Sequence, residues 1–306
     1  MIPVLTIVGA TASGKSAFAV KAASALGGEV VSADSMQVYK YMDIGTAKVT
    51  EDEMQGIPHH LIDVLEPDDD CNVTRFVSMA ETAIEDIASR GKLPVICGGT
   101  GLYIDSLLKG AAFEDDSCDE AYREKLRTMA EEKGNEYLHS LLTEVDPVAA
   151  EKIHFNNVKR VIRALEFHHV TGRSITTQKE NTVNIKYKSF IIGMERDREL
   201  LYANIDIRVD KMVEQGLFDE VKMLLNKGVN PRSNSMQGIG YREVIWYFHG
   251  KCTKDEAIRL IKRNSRRYAK RQITWFGAND SIRWINPSDD AAVDDILQIA
   301  SDELRN

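Results

Sequence analysis

The residues whose types and spacing most directly suggest chemistry are Gly9-Ala10-Thr11-Ala12-Ser13-Gly14-Lys15-Ser16, which fit G-x-x-x-x-G-K-[ST]. An apolar stretch precedes them and a helical one succeeds them, the context in which glycines let backbone N–H groups turn inward around an anion. The helix beginning near Ser16 adds partial positive charge, Lys15 adds a full one, and the Ser16 hydroxyl suits a Mg²⁺ ligand. The loop predicts a phosphate site without saying which phosphate compound fills it. A second anion turn is expected at Cys97-Gly98-Gly99-Thr100-Gly101-Leu102-Tyr103. There the glycines allow close backbone approach and Thr100 is placed to cap a helix, and capping alone also explains the pattern. Asp34, in Ser32-Ala33-Asp34-Ser35-Met36-Gln37, ends another apolar run. In an open parallel sheet its carboxylate faces the bound phosphates, as a Mg²⁺ ligand, a general base or an N-cap for the next turn of chain.

The run before Thr100 ends Cys97-Gly98-Gly99 rather than in aspartate, and no Asn-Lys-x-Asp guanine-reading motif occurs, which weakens a simple NTP hydrolase reading. Residues 259–271 contain seven basic side chains and no acidic one: Arg259, Lys262, Arg263, Arg266, Arg267, Lys270 and Arg271. At helical spacing Arg259, Arg263, Arg266 and Lys270 share a face, while Ala257, Ile261, Asn264 and Tyr268 lie on another. Charged helix faces usually mix signs, so an unmixed one beside a phosphate loop predicts contact with an extended polyanion, with Arg266, Arg267 and Lys270 contributing. Arg208 falls inside the stripe Leu201, Ile205, Val209 and Met212. A guanidinium there needs an anionic partner, unless its stem is buried and its head reaches water. Lys159, Arg160 and Arg163 form a smaller positive cluster.

These residues have to be carried by elements, and the chain alternates accordingly. Apolar runs at 3–8, 29–32, 61–65 and 94–97, separated by helical stretches such as 16–26 and 74–90, predict a parallel sheet with helices on both faces. From about Phe113 the character changes: Glu114, Asp115, Asp116, Asp119 and Glu120 make an acidic turn, followed by helical stripes such as Tyr122, Leu126, Met129 and Val158, Val161, Ile162, Leu165. Strand character returns at 188–194, followed by helices at 198–215, 238–248 and 254–272, a short strand at 282–285 and a final helix. The expected domains are an α/β core of residues 1–113 and 190–306 and a helical insertion of residues 114–189.

The chain has 306 residues, 43% hydrophobic and 28% charged, proportions that exclude a disordered or fibrous protein. A net charge of −8 disfavours a nucleic-acid partner only if it is evenly spread, and the basic run shows that it is segregated. Cys71, Cys97, Cys118 and Cys252 have no paired spacing, so neither disulfides nor a zinc site is expected. With no basic leader and no apolar stretch near ~18 residues, a cytoplasmic protein without membrane contact is expected.

The P-loop, Ser32-Ala33-Asp34-Ser35-Met36-Gln37, Met42-Asp43-Ile44-Gly45-Thr46-Ala47-Lys48, Gly98-Gly99-Thr100-Gly101-Leu102-Tyr103, Gln237-Gly238-Ile239-Gly240-Tyr241-Arg242 and Ala269-Lys270-Arg271-Gln272-Ile273-Thr274-Trp275-Phe276 occur in order. Together with Asp146-Pro147 and Arg163-Ala164-Leu165-Glu166, this series resembles the bacterial tRNA dimethylallyltransferase (tRNA isopentenyltransferase) family over nearly the whole chain. The resemblance implies a P-loop NTPase-like α/β core with a helical insertion domain and a helical C-terminal region. It implies transfer of a dimethylallyl group from dimethylallyl diphosphate to N6 of the adenosine 3′ of the anticodon, position 37, in tRNA. On that reading Gly9 to Ser16 and Arg208 hold diphosphate, with Mg²⁺ on Ser16. Asp34 acts as base, assisted by Thr100, Lys15 and Arg208.

The resemblance places Asp34, Ser35, Met36, Gln37, Thr100, Arg123, Lys159, Arg160, Val161, Ile162 and Arg163 against the tRNA anticodon stem-loop. It does the same for Gln237, Gly238, Ile239, Gly240, Tyr241 and Arg242, and for Lys270, Arg271, Gln272, Ile273, Thr274, Trp275, Phe276 and Gly277. A monomer is expected. The alternatives are a small-molecule kinase of the P-loop type and a non-catalytic nucleotide-switched RNA-binding protein.

Overall fold

The structure, a computed structural model, describes residues 1–110, 119–177 and 185–305. The expected boundary at 113, the acidic residues Glu114, Asp115 and Asp116, and Cys118 lie outside the described residues. The chain forms two compact units, Met1–Lys109 with Ile185–Asn306 and, separately, Gly110–Asn184.

The first unit begins β1 (Ile2–Gly9), α1 (Lys15–Leu26), β2 (Gly28–Ser32), α2 (Glu51–Met54), β3 (His59–His60), α3 (Val73–Ser89), β4 (Leu93–Gly98) and α4 (Gly101–Lys109). The second unit holds α5 (Glu120–Lys133), α6 (Asn135–Val145), α7 (Pro147–Lys152) and α8 (Val158–Thr171). The first unit then resumes with β5 (Tyr187–Met194), α9 (Arg198–Glu214), α10 (Leu217–Asn226), α11 (Tyr241–Phe248), α12 (Lys254–Phe276), β6 (Arg283–Ile285) and α13 (Asp290–Arg305).

The strands pair in the order β3-β2-β4-β1-β5-β6, all parallel. Alternation along β1 shows why both faces are covered. Leu5 and Ile7 pack with Phe18, Ala22, Ile192 and Ile296, so α1 and α13 close one face. Val4 and Val8 pack with Phe76, Ile84, Ile104 and Leu107, so α3 and α4 close the other. Strands buried on both sides read as continuous apolar runs, which makes β1 and β4 legible in the sequence.

Several elements differ from expectation. The run at 61–65 is not a strand: pairing to β2 ends at His60, and Leu61 and Asp63 have φ of +63° and +56°. Leu61 and Leu65 are buried by packing, so their apolar character signals core rather than a ladder. Helix α10 is an addition to the expected elements; Gly216, at φ +102°, breaks the chain after α9 and lets Leu217, Val221 and Leu224 enter a core with Val38, Met42, Tyr241 and Ile261. The helix expected from 238 begins at Tyr241, because Gly240 has φ +101°. Strand β5 begins at Tyr187, next to the expected 188, and because Tyr187, Lys188 and Ser189 already pair with Ile2, Pro3 and Val4 the first unit resumes ahead of the expected boundary at 190.

In the second unit Leu126, Leu138, Leu142, Ala149, Val161, Ile162 and Leu165 form one core. Asp119 and Asp146 cap α5 and α7, satisfying orphan N–H groups at the helix starts. Among the described residues, no helix is long and apolar enough to cross a membrane.

Glu29 on buried β2 ties the sheet to its flanks, accepting from Arg90 Nη1 and Nη2 at 2.5 and 2.8 Å and pairing with His60 Nε2 at 2.8 Å. The Arg90 hydrogen bonds, helped by His60, hold the carboxyl at about 2 against an ordinary 4.5, despite burial pushing the other way. A depressed folded value means that this stabilisation is complete above about 4.5 and is lost as pH falls towards about 2. Glu29→Gln should lower stability at neutral pH and flatten that acid limb, as measured by urea melts at stepped pH.

Candidate active site

The P-loop connects the carboxyl end of β1 to α1. Gly14, the residue before α1, has φ +95°, a conformation that favours glycine. The first intrahelical bond runs from Phe18 N–H to Gly14 O, so the N–H groups at the start of α1 have no helical acceptor. Lys15 Nζ donates to Ala10 O at 3.3 Å. Burial lowers the Lys15 pKa; Cys97 and Asp34 oppose that shift, and Arg208 reinforces it. Burial holds Cys97 at about 11, so it remains a thiol. The Ser13 hydroxyl is buried without a hydrogen-bond partner, whereas Ser16 is half-buried. Arg196 Nε donates to Ser13 O at 2.8 Å and clamps the loop from the end of β5.

Asp34 follows β2. Its Oδ1 accepts from the N–H groups of Met36 at 2.9 Å and Gln37 at 3.3 Å, so the turn-capping role is real and occupies one oxygen. At the end of β4, Gly98 lies against Ala33, where a Cβ would come within 2.2 Å of the Ala33 carbonyl oxygen. The neighbouring Thr100 corrects an expectation: its side chain does not cap α4, and its hydroxyl is buried with no hydrogen-bond partner.

Two cavities meet at these residues. The smaller, about 80 Å³, is lined by Lys15, Ser16, Asp34, His59, Cys97 and Arg208 among others. The larger, about 480 Å³, is lined by Ser35, Met36, Gln237, Arg242, Asn264, Ser265, Arg267 and Arg271 among others. Thr11, Asp34, Thr46, Arg208 and Tyr268 line both. Arg208 Nη1 donates to Thr11 Oγ1 at 3.2 Å, and burial lowers its pKa while Asp34 and Glu53 oppose that. Its place in an apolar stripe therefore brings it to the wall shared by the two cavities, beside the loop at 9–16. Burial, and then Asp34, raise the pKa of the Tyr268 phenol, which sits near Thr100 and Gln272.

Thr46, His59, Asn264, Ser265 and Tyr268 extend the site beyond the residues expected to form it, and Arg267, expected on the basic face of α12, lines the large cavity. His59 reaches the small cavity from β3, with Nδ1 tied to Ile57 O at 2.8 Å and its pKa lowered by burial. Thr46 is carried by the loop at 42–48, which Glu220 shapes: its carboxylate accepts from the N–H groups of Asp43, Ile44 and Gly45 at 2.7–3.0 Å and from the Tyr241 hydroxyl at 2.6 Å. The spacing of that motif carries no signal of this, because Glu220 lies on α10.

Several expected RNA contacts are internal. Val161 and Ile162 are buried in the core of the second unit. Arg123 and Arg163 both pair there with the fully buried Glu166, at 2.7 and 2.9 Å. Lys159 and Arg160 are exposed. Tyr241 and Phe276 are buried, and Arg242 pairs with buried Glu243 at 2.6 Å while lining the large cavity. Gln37 is buried, its Nε2 donating to Ala47 O at 3.2 Å, and Gln237 Nε2 donates to Pro231 O at 2.8 Å. Gly238 packs on Met36, Ile239 lines the large cavity and Gly240 N–H donates to Glu243 at 2.8 Å.

Lys270, Arg271, Thr274 and Trp275 line an open groove beside α4, and Ile273 and Gly277 are exposed. The basic face of α12 is less uniform than its sequence: Lys262 pairs with Asp210 at 2.6 Å and Arg266 with Asp206, both on α9. Among the described residues Arg263, Arg267 and Lys270 form no ion pair.

A parallel sheet, a phosphate-binding loop at its carboxyl edge and a carboxylate beside that loop define a P-loop α/β protein with a group-transfer site. The family model "IPP transferase" matches residues 37–279, and "Isopentenyl transferase" matches residues 2–65. The tRNA dimethylallyltransferase of Acetivibrio thermocellus is 52% identical over 92% of this chain and 91% of its own length, and that of Bacillus cytotoxicus 48% over 99% and 96%. The solved tRNA isopentenylpyrophosphate transferase of Bacillus halodurans superposes with a TM-score of 0.76 at 42% identity, covering 100% of this chain and 97% of that one. A eukaryotic dimethylallyltransferase acting on tRNA gives a TM-score of 0.78 at 29% identity, covering 96% and 76%. The chain belongs to the tRNA dimethylallyltransferase family and is a prenyltransferase.

Removing the Glu220 side chain strands three backbone N–H groups and the buried Tyr241 hydroxyl. Glu220→Ala should cost about 3 kcal/mol in denaturant unfolding, and Glu220→Gln, which keeps one acceptor, should cost less.

Proposed function

We propose that this chain transfers the dimethylallyl group of dimethylallyl diphosphate to N6 of adenosine 37, on the 3′ side of the tRNA anticodon, releasing diphosphate. The observation that carries this reading is the pair of cavities joined at Asp34, Thr11 and Arg208. The small cavity, with Lys15, Ser16 and the first amides of α1, suits diphosphate. The large one, with polar and arginine side chains, suits a nucleotide turned out of a single-stranded loop.

In the reaction the adenine N6 attacks the allylic carbon, the carbon–oxygen bond to diphosphate breaks, and an N6 proton is lost. Asp34 takes that proton through the carboxylate oxygen not used in capping, which makes no hydrogen bond among the described residues. An exocyclic amine is a weak nucleophile, so proton removal matters most as the new bond forms. Lys15 and Arg208 offset charge on the leaving diphosphate, and Thr11 holds Arg208 in place. Mg²⁺ fits the same wall: Ser16 would hold it, its hydroxyl making no hydrogen bond among the described residues and Asp34 lining the same cavity. When bound, the ion supplies positive charge to the diphosphate oxygens.

RNA contacts are assigned to Ser35, Met36 and Ile239 around the large cavity, to Arg267, Lys270, Arg271, Ile273, Thr274, Trp275 and Gly277 along α12, and to Lys159 and Arg160 in the insertion. On this reading the enzyme works in the cytoplasm as a monomer.

Incubation of the protein with labelled dimethylallyl diphosphate and unmodified tRNA should place label on one loop adenosine without ATP. Phosphate transfer from ATP, or RNA binding with no transfer, would overturn the assignment in favour of a kinase or a switch protein. Asp34→Asn should reduce single-turnover transfer by roughly 10²–10⁴-fold while tRNA affinity stays near wild type. Charge removal at Arg267, Lys270 and Arg271 should weaken tRNA binding and flatten its dependence on salt. Arg266→Ala, which breaks the pair with Asp206, should instead act mainly on unfolding, a contrast that filter binding and melts together resolve.

A further inference from the structure

Gln272 sits within the basic, RNA-facing stretch of α12, yet it is 5% exposed and both ends of its amide are bonded inside the protein. Its Oε1 accepts from Thr11 N–H at 2.8 Å, and its Nε2 donates to Gly99 O at 3.0 Å. One side chain thus joins the phosphate loop after β1 to the glycine turn after β4. The fit is close: a Cβ on Gly99 would lie 2.1 Å from Gln272 Nε2, so residue 99 has to be a glycine for the amide to reach. The amide orientation is settled by its partners, because an N–H can only donate and a carbonyl can only accept.

The bond to Thr11 has a consequence for charge. Thr11 accepts from Arg208 Nη1 through its hydroxyl, and both residues line the two cavities. Fixing the Thr11 backbone therefore fixes the hydroxyl that aims a guanidinium otherwise disfavoured by burial.

We propose that Gln272 is a positioning residue for the diphosphate site, acting through Thr11 on Arg208, and is not an RNA contact. This rests on the transferase reading for its consequence in catalysis, but its first test does not. Inorganic pyrophosphate binding by titration calorimetry, anticodon stem-loop binding by fluorescence anisotropy and thermal melts are measured on wild type, Gln272→Met and Gln272→Glu. The methionine removes both hydrogen bonds at similar length; the glutamate keeps the acceptor for Thr11 N–H and loses the donor to Gly99.

The expected result is pyrophosphate affinity lowered about tenfold in Gln272→Met, with RNA affinity within about twofold of wild type. In steady-state transfer the KM for the allylic diphosphate should rise while the KM for tRNA holds. Weakened RNA binding with unchanged pyrophosphate affinity would overturn the proposal and make Gln272 an RNA contact. Unchanged values for both ligands in folded variants would also overturn it. Should Gln272→Met fail to fold, the same comparison on Gln272→Leu, which also removes both hydrogen bonds without adding charge, decides. Lack of prenyl transfer by the wild type would sink the functional reading while leaving the pyrophosphate result standing.

Discussion

Asp34 lines the same small cavity as a loop built to hold an anion, so its charge has to be compensated before any ligand arrives. Two backbone N–H groups do this on one oxygen, and Lys15 and Arg208 do it through space. The reverse also holds: burial disfavours both cations, and the carboxylate opposes that effect. The site is therefore a balanced set of partly desolvated charges, and the surrounding structure serves to keep them at fixed separations. A neutral residue at 34 would leave two cations facing each other with less to hold them charged.

Buried polar groups supply that fixity. Glu220 gathers three backbone N–H groups of the 42–48 loop and so holds Thr46 at both cavities. Glu243, with no exposure, accepts from Gly240 N–H, Arg242 and Asn264, and so joins the start of α11 to the middle of α12. Glu166 does the same for Asp119 N–H, Arg123 and Arg163 in the insertion. A buried carboxylate is tolerated only when its lone pairs are met, and each of these has at least three donors. The same arithmetic explains why arginines that look free in the sequence are not all offered to RNA.

Local patterns are legible in the sequence where the physics is local. The phosphate loop, the strands at 2–9 and 93–98 and the basic helix depend on neighbours a few residues away, and all stand in the structure. The departures share a cause. Leu61 and Leu65 resemble a strand because burial and pairing leave the same apolar trace. Helix α10 is hidden because the glycine that starts it also ends the expected α9. Thr100 looks like a cap because its position allows it, but its hydroxyl turns elsewhere.

The sequence by itself determined the class of chemistry: a loop whose backbone must curl around phosphate, a carboxylate at the next strand end, and a chain whose ordered motifs belong to one family. Only the tertiary structure decided which side chains are left to act. Val161 and Ile162, expected to meet RNA, are buried in the core of the insertion, and Gln272, although it borders the small cavity, has both ends of its amide bonded within the protein, whereas Arg267 and Asn264 on α12 line the large cavity and Tyr268 lines both. Whether a polar group is spent or available depends on partners distant in the chain, Gly99 and Thr11 for Gln272 and Asp206 for Arg266. Residue type and spacing along one helix cannot encode those partners, because the pairing exists only once the sheet has brought its strand ends to one edge.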